Sequence, residues 1–448
     1  MRDLLIVLTV LNTLPLILVR PYIGILIWCW ISYMNPHRLA WGFAYDLPLA
    51  MAVGATTLIA VVLSREAKRL PMHMATILLI ILTIWVSFTT VVAILPDAAF
   101  VKWDQSMKIL LMTFVTMVLI NNRERLHALI WMIVVSLGFY GIKGGIFTLI
   151  SGGGSRVWGP SDSFIADNNA LALALIMTVP LMRYLSLHSG VQWVRWGLNG
   201  AMLATCIAVI GSHSRGAFVA GIAMLLFLLA KSRQRFLVGI AGVVVVAFAV
   251  LMAPDHWIER MESIKHYEED PSAQGRFQAW TFAFKLALDR PFTGGGFRVN
   301  RHRELFFSYV PEADTQRAFH SNYFEVLGEH GFPGLVIFLS LLLATYTCAT
   351  SLIREHRKKP DTEWAADLGA MCQVSLVGYM VCGLFLNLAF YDLFYHLVAI
   401  LVIAKAVADK ESKPEAAVEA PEVVPRPSTV SIASRAAKRA DGPVADRP

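Results

Sequence analysis

Residues 74–95 read MATILLIILTIWVSFTTVVAIL, a run without a charged side chain. Its length is that of a bilayer-spanning helix, roughly 17–25 residues. In hydrocarbon every backbone N–H and C=O must be satisfied within its own segment, so such a run is a helix. The same holds for residues 236–253 and 333–353. Only 16% of the chain is charged and 56% is hydrophobic, against about 25% charged in a soluble domain. The expected fold class is all-α: a polytopic membrane helical bundle.

Outward from that run, apolar segments and connectors give further spans near 47–63, 105–120, 128–150, 168–185, 196–212, 216–230, 236–253, 333–353, 366–388 and 391–407. Residues 4–35 are too long for one straight helix and too short for two comfortable ones. With both termini cytoplasmic, parity demands one net crossing there, broken or re-entrant near Arg20–Pro21, and about twelve passes in all. No small-residue cleavage site follows the apolar start at Leu4, which reads as a retained membrane segment. Basic residues cluster in short connectors: Arg65, Lys68 and Arg69; Arg123 and Arg125; Lys231, Arg233 and Arg235; Arg354, Arg357, Lys358 and Lys359. These are positive-inside signals. The net charge of +7 therefore reports topology in a membrane, and nucleic acid is not an expected partner. The five cysteines lie in apolar runs without CxxC spacing, which argues against a zinc site or a disulfide framework. The domain plan is 1–253, N-terminal membrane helices; 254–332, a large periplasmic loop with short amphipathic helices; 333–408, C-terminal membrane helices; and 409–448, a disordered cytoplasmic tail.

Charges at the membrane are costly and point to function. Arg215 lies in Ser212-His213-Ser214-Arg215-Gly216, a short turn between two apolar runs. Its guanidinium fork suits diphosphate oxygens; the bland alternative is an anchor snorkelling to headgroups. The 254–332 insertion adds Arg276, Arg298, Arg301, Arg303 and Arg317. Within it Phe277, Trp280, Phe284 and Leu288 recur at helical spacing, as in a helix lying on the membrane or capping the bundle. Gly294-Gly295-Gly296 precede Arg298 and would let amides approach a ligand, or form a plain flexible loop. His320 is a proton acceptor suited to neutral pH, or a structural polar residue at a helix start; His330 shares both readings. Lys143 is read as facing a cavity and Arg183 as a cytoplasmic anchor. Asp392 and His396, four apart, either orient each other or are interfacial. Asp167, His320 and Glu325 show no recognised ligand spacing, so no metal is expected.

His320-Ser321, nine residues, then Gly331-Phe332-Pro333-Gly334 match H-[NSQ]-x9-G-x-x-G. The pattern resembles the O-antigen ligase and polymerase superfamily of bacterial membrane glycosyltransferases. Other features follow in the family's order: Ser214-Arg215-Gly216 opening a helix, Arg276 with Trp280, and Pro291 to Phe297 before the histidine. Upstream, Arg156-Val157-Trp158-Gly159 leads to Asp167-Asn168-Asn169, similar to the family's glycine-to-Asp-x-Asn stretch, with Asn168 where proline is commoner. The N-terminal third, including Met34-Asn35-Pro36-His37-Arg38, resembles exosortase-associated O-glycosylation ligases. The resemblance covers roughly residues 1–405. It implies a GT-C-like, inverting, metal-independent enzyme without cofactor; a monomer is the expected state, though the sequence does not determine it. Glycan would pass from an undecaprenyl diphosphate carrier to an acceptor hydroxyl, that of lipid A–core, at the periplasmic face. Arg215 and Arg276 would grip the diphosphate and His320 would be the base. Arg298, Arg317, Arg156, Asp167 and Asn169 would contact substrate.

Three other readings compete. The acceptor is a protein hydroxyl, or the enzyme is a polymerase joining repeat units on the carrier. A lipid-linked glycan transporter is the third, but transporters often show two related halves and none is evident here.

Overall fold

The computed structural model describes residues 1–231, 242 and 271–412. The expected span 236–253, apart from Gly242, and the tail from 413 lie outside the described residues. The described chain is helical throughout, without a strand. In order the helices are α1 (Arg2–Val19), α2 (Pro21–Met34), α3 (Leu49–Leu63), α4 (Met74–Val91), α5 (Pro96–Leu119), α6 (Arg123–Ile150) and α7 (Asn168–His188). They continue with α8 (Gln192–Gly211), α9 (Arg215–Lys231), α10 (Pro271–Asp289), α11 (Arg303–Tyr309), α12 (Asn322–His356), α13 (Glu363–Cys382) and α14 (Asp392–Glu411). Seven helical segments among the described residues are long and apolar enough to cross a membrane, and the chain is a polytopic membrane helical protein.

Membrane helices run alternately between two ends of the bundle. The first end carries the basic connectors. There Arg125 pairs with Glu66 at 2.8 Å and stacks over Tyr22 at 4.5 Å, and His188 meets Asp367 at 3.2 Å. The second end carries residues 35–48, 92–95, 151–167, 212–214, 290–321 and 383–391. α7 and α14 are buried along nearly their whole length and form the centre. Outside, α1, α4 and α6 present Leu4, Leu11, Ile84, Phe88 and Ile146 to the surroundings. An apolar exterior of this extent is what a bilayer solvates.

Residues 4–35 do not make the single crossing expected. Pro21 opens a new helix at its favoured first position, and the turn at Arg20 lies at the first end beside Glu66, Asn122 and Arg125. At the other extreme the Asp3 carboxylate accepts the amides of Gly42 and Ala44 at 3.1 and 3.0 Å. α1 and α2 are thus a hairpin that begins and ends at the second end. α2 spans only about 21 Å at 1.5 Å per residue; burying Gly24, Ile25, Cys29 and Tyr33 against neighbouring helices compensates for its shortness.

Two other expected boundaries move. α5 begins at Pro96 rather than near 105, carrying Lys102 and Asp104 within it. α13 stops at Cys382 although apolar residues continue to 388: Leu384 N and Phe385 N turn back to the Val381 and Cys382 carbonyls, and Gly383 O and Leu388 N are then bound by Asn322 of α12. Small residues set the tightest packing. A Cβ on Gly141 would lie 2.1 Å from Thr205 Oγ1, one on Gly145 2.2 Å from the Ala204 carbonyl, and one on Gly211 1.9 Å from Thr148 Oγ1. α6 and α8 therefore meet backbone to backbone, the small-residue packing typical of membranes. Lys143 lies on the opposite, exposed side of α6 and not in a cavity; its long stem lets the ammonium reach the rim. Arg183 is also exposed, near the first end.

Gly145→Ala should cost about 1–3 kcal/mol through overpacking and lower the thermal midpoint of the purified protein. Gly200→Ala, on α8 with nothing within 4 Å of its Cβ, should leave the midpoint unchanged or raise it.

Candidate functional site

Four breaks in the helical backbone meet at the second end. Asp167 caps α7, its Oδ1 accepting the amides of Asn169 and Ala170 at 2.9 and 3.3 Å. Asn168 donates its side-chain amide to the Ser212 carbonyl at 2.7 Å, tying this cap to the turn before α9. The Val157 amide donates to Gly211 O at 3.0 Å, and His213 Nε2 lies 2.9 Å from Gly153 O. Arg156 is thereby held beside the same turn. Ser214 caps α9 by accepting the Ala217 amide at 3.3 Å, and Arg215 is the first residue of that helix. The next residue, Gly216, packs on the 383–391 loop: its Cβ would sit 3.3 Å from Phe385 Cβ.

That loop also fixes the start of α12. The Asn322 amide donates to Gly383 O at 2.7 Å and the Ser321 amide to Asn387 Oδ1 at 3.3 Å. In return Leu388 N donates to Asn322 Oδ1 at 2.7 Å and Ala389 N to Glu325 Oε2 at 3.2 Å. From the other side α10 clamps the same segment. Trp280 Nε1 donates to Phe319 O at 2.8 Å, and its ring stacks on Phe324 at 5.0 Å. A Cβ on Gly275 would touch Arg317 Nε at 3.0 Å, so Arg317 lies against the residue preceding Arg276.

His320 sits between these supports with a left-handed backbone, φ 47°. A non-glycine residue held there costs roughly 1 kcal/mol or more and survives only where neighbours over-determine it. His213 and Arg298 are in the same region, φ 56° and 59°. The His320 ring keeps an edge open to solvent, yet partial burial and then the Arg276 guanidinium hold its pKa below the ordinary histidine value; Asp167 pulls the other way and Arg317 reinforces the lowering. These surroundings disfavour the protonated ring, and the neutral imidazole is the form that accepts a proton. Arg276, Arg317 and Asp167 are all close enough to act on it, and Arg215 and Arg156 lie across the adjoining turn.

Arg298 stands apart from this group. Its guanidinium reaches Gln105 on α5 at 3.4 Å, and its amide donates to Glu329 Oε1 at 2.7 Å. The Asn169 side chain donates to its neighbour Asn168 Oδ1 at 3.4 Å, and it is Asn168 that makes the cross-link to Ser212, which the Asp-x-Asn pattern did not assign. The glycines 294–296 do not cradle a ligand. Gly295 N and Gly296 N donate to the carbonyls of Gly328 and Glu329 at 2.9 and 2.8 Å. A Cβ on Gly296 would collide with Ala93 Cβ at 2.2 Å. They are glycine because this loop must lie against the backbone of α12 and of the α4–α5 turn.

Sequence reading missed Glu329, and did not foresee that Glu325 and His330 are buried with it on the first turns of α12. His330 Nδ1 is 2.7 Å from Thr89 Oγ1, and Trp85 donates to the His330 carbonyl at 3.0 Å, which would otherwise be orphaned by the break at Gly331, φ 70°. The available signal was carboxylates four apart directly before the glycine pair. Asp392 and His396 are buried too, but His396 turns to Tyr33 Oη at 2.8 Å and Cys29 Sγ at 3.4 Å rather than to the Asp392 carboxylate. Among the described residues, Glu355, His356 and Asp409 approach as metal ligands would. They lie at the first end, and Lys405 neutralises both carboxylates at 2.6 and 2.7 Å.

Residues 200–339 match the family model described as O-Antigen ligase. Residues 1–190 match one described as Family of unknown function (DUF5935). No curated protein matches the chain.

The charges facing His320 fix the sign of its response. Arg276→Gln should raise the midpoint of His320 protonation and Asp167→Asn should lower it, read from the pH dependence of His320 acylation by diethylpyrocarbonate. Equal midpoints in all three proteins would separate these groups.

Proposed function

We propose that this chain, which belongs through residues 200–339 to the O-antigen ligase and polymerase superfamily, joins glycan from undecaprenyl diphosphate to a hydroxyl of lipid A–core. Membership makes it a membrane glycosyltransferase of the ligase and polymerase type, acting on lipid-linked glycan. The reaction belongs to the second end of the bundle. Basic connectors gather at the first, and by the positive-inside bias that end is cytoplasmic, which makes the second periplasmic.

The observation that carries the reading is His320, held in left-handed backbone just before α12 with the Arg276 and Arg317 guanidinium groups near enough to act on its ring. His320 takes the proton of the acceptor hydroxyl as its oxygen attacks the anomeric carbon from the face opposite the carrier. The bond from that carbon to the diphosphate oxygen breaks, and the configuration inverts in one displacement. Arg215 and Arg276 stabilise the charge that develops on the leaving diphosphate. Arg317 supports that charge, and Arg156, Asp167 and Asn169 line the sugar side. Arg298 contributes through the packing of its loop on α12. The protonated imidazole releases its proton to water once product leaves. A low-charge surrounding strengthens each of these contacts.

His320→Ala and Arg215→Ala, expressed at normal levels in a strain lacking its own ligase, should each cut lipopolysaccharide capping by roughly 10²-fold or more. Normal O-antigen ladders from either variant would remove that residue from the site. Deletion that leaves lipopolysaccharide intact but removes glycoprotein would move the acceptor to a protein hydroxyl. Single-unit glycan would make the enzyme a polymerase.

A further inference from the structure

α10 has three faces, and the reaction uses only two of them. Phe282, Ala283 and Leu286 are buried in a small core with Phe306 and Phe319. Arg276 and Trp280 share the flank turned toward His320. The third face presents Phe277, Phe284 and Leu288, all exposed, at helical positions within about 20° of one line. Leu288 leads to Phe292, which is 70% exposed. The loop bearing Phe292 rests on the end of α4: Arg290 donates to the Val92 carbonyl at 3.0 Å, and Ile94 N donates to Gly295 O at 2.9 Å. There the exposed stripe of α4 begins, through Val91, Phe88, Ile84 and Ile77.

An apolar track therefore runs along the outside of α4, over Phe292, and along α10 to a point one residue from Arg276. Its two legs measure roughly 21 Å on α4 and 16 Å on α10 at the α-helical rise. A phospholipid chain reaches only the bilayer midplane, about 15 Å. A track of this length ending on a cation fits a single long hydrocarbon chain with an anionic head. We infer that this face seats the polyisoprenoid tail of the lipid-linked donor, which enters along α4 and delivers its diphosphate to Arg276. The inference rests on the reading above and adds the tail's route, which makes α10 a guide for the tail as well as a cap on the site.

Phe284→Ser and Leu288→Ser touch no core and should fold normally. With the purified full-length protein, KM for a glycan on undecaprenyl diphosphate should rise about tenfold per substitution, the scale for losing one apolar contact. KM for the same glycan on a five-carbon prenyl diphosphate, too short to reach Phe284 or Leu288, and kcat for both donors should not change. Equal effects on both donors, or none on either, would overturn the tail assignment. A second readout needs no turnover. A photoreactive Phe284→p-benzoylphenylalanine protein in phosphatidylglycerol vesicles should capture lipid that undecaprenyl diphosphate displaces. Capture of phosphatidylglycerol alone, undiminished by that competitor, would make the face an ordinary membrane anchor. Displacement by the competitor from a protein that transfers no glycan would preserve the tail route and overturn the proposed function instead.

Discussion

A backbone that leaves the helix near hydrocarbon has no water to bond, so each break must find its partners within the protein. Here the breaks satisfy one another. The turn before α9 gives its carbonyls to Asn168 and Val157. The start of α12 exchanges hydrogen bonds with residues 383–389, and its kink at Gly331 is closed by the glycine loop and Trp85. This mutual satisfaction gathers segments far apart in sequence at one end of the bundle.

Chemistry follows from the same economy. Residues at the breaks are the ones free to present polar side chains at the rim, and three of them, His213, Arg298 and His320, are held in left-handed backbone. Arg276 and Arg317 act on the imidazole from α10 and from the irregular segment before α12, while Asp167 acts on it from the cap of α7. The pairing of cations with an uncharged base is a consequence of placement: burial and guanidinium groups disfavour a second positive charge on the ring.

Much of this was legible in the sequence. Long apolar runs located the spans, the Arg20–Pro21 break was visible as a proline after a lone charge, and the helical spacing of Phe277, Trp280, Phe284 and Leu288 announced an amphipathic helix, although Trp280 turns inward to Phe319 and Phe324. Other parts were not. Parity concealed the α1–α2 hairpin, because Asp3 meeting Gly42 and Ala44 is a tertiary contact that no run length encodes. Gly294 to Gly296 read equally well as a ligand cradle or a flexible loop; only coordinates reveal that Gly328 and Glu329 occupy the space above them. The burial of Glu325, Glu329 and His330 was not legible, since partners on α4 and in the two loops supply it. Lys143 shows the opposite error: a charge inside an apolar run need not face inward when its stem can reach the rim.

The account turns on cations and an imidazole sharing one pocket with a lipid diphosphate. An experimental structure of the protein with undecaprenyl diphosphate in a bilayer mimic tests this most directly. The account predicts diphosphate oxygens within hydrogen-bonding distance of the Arg215 and Arg276 guanidinium groups, with His320 facing the carrier's terminal oxygen. A diphosphate seated away from both arginines, or a His320 ring turned to a separate surface, would contradict it.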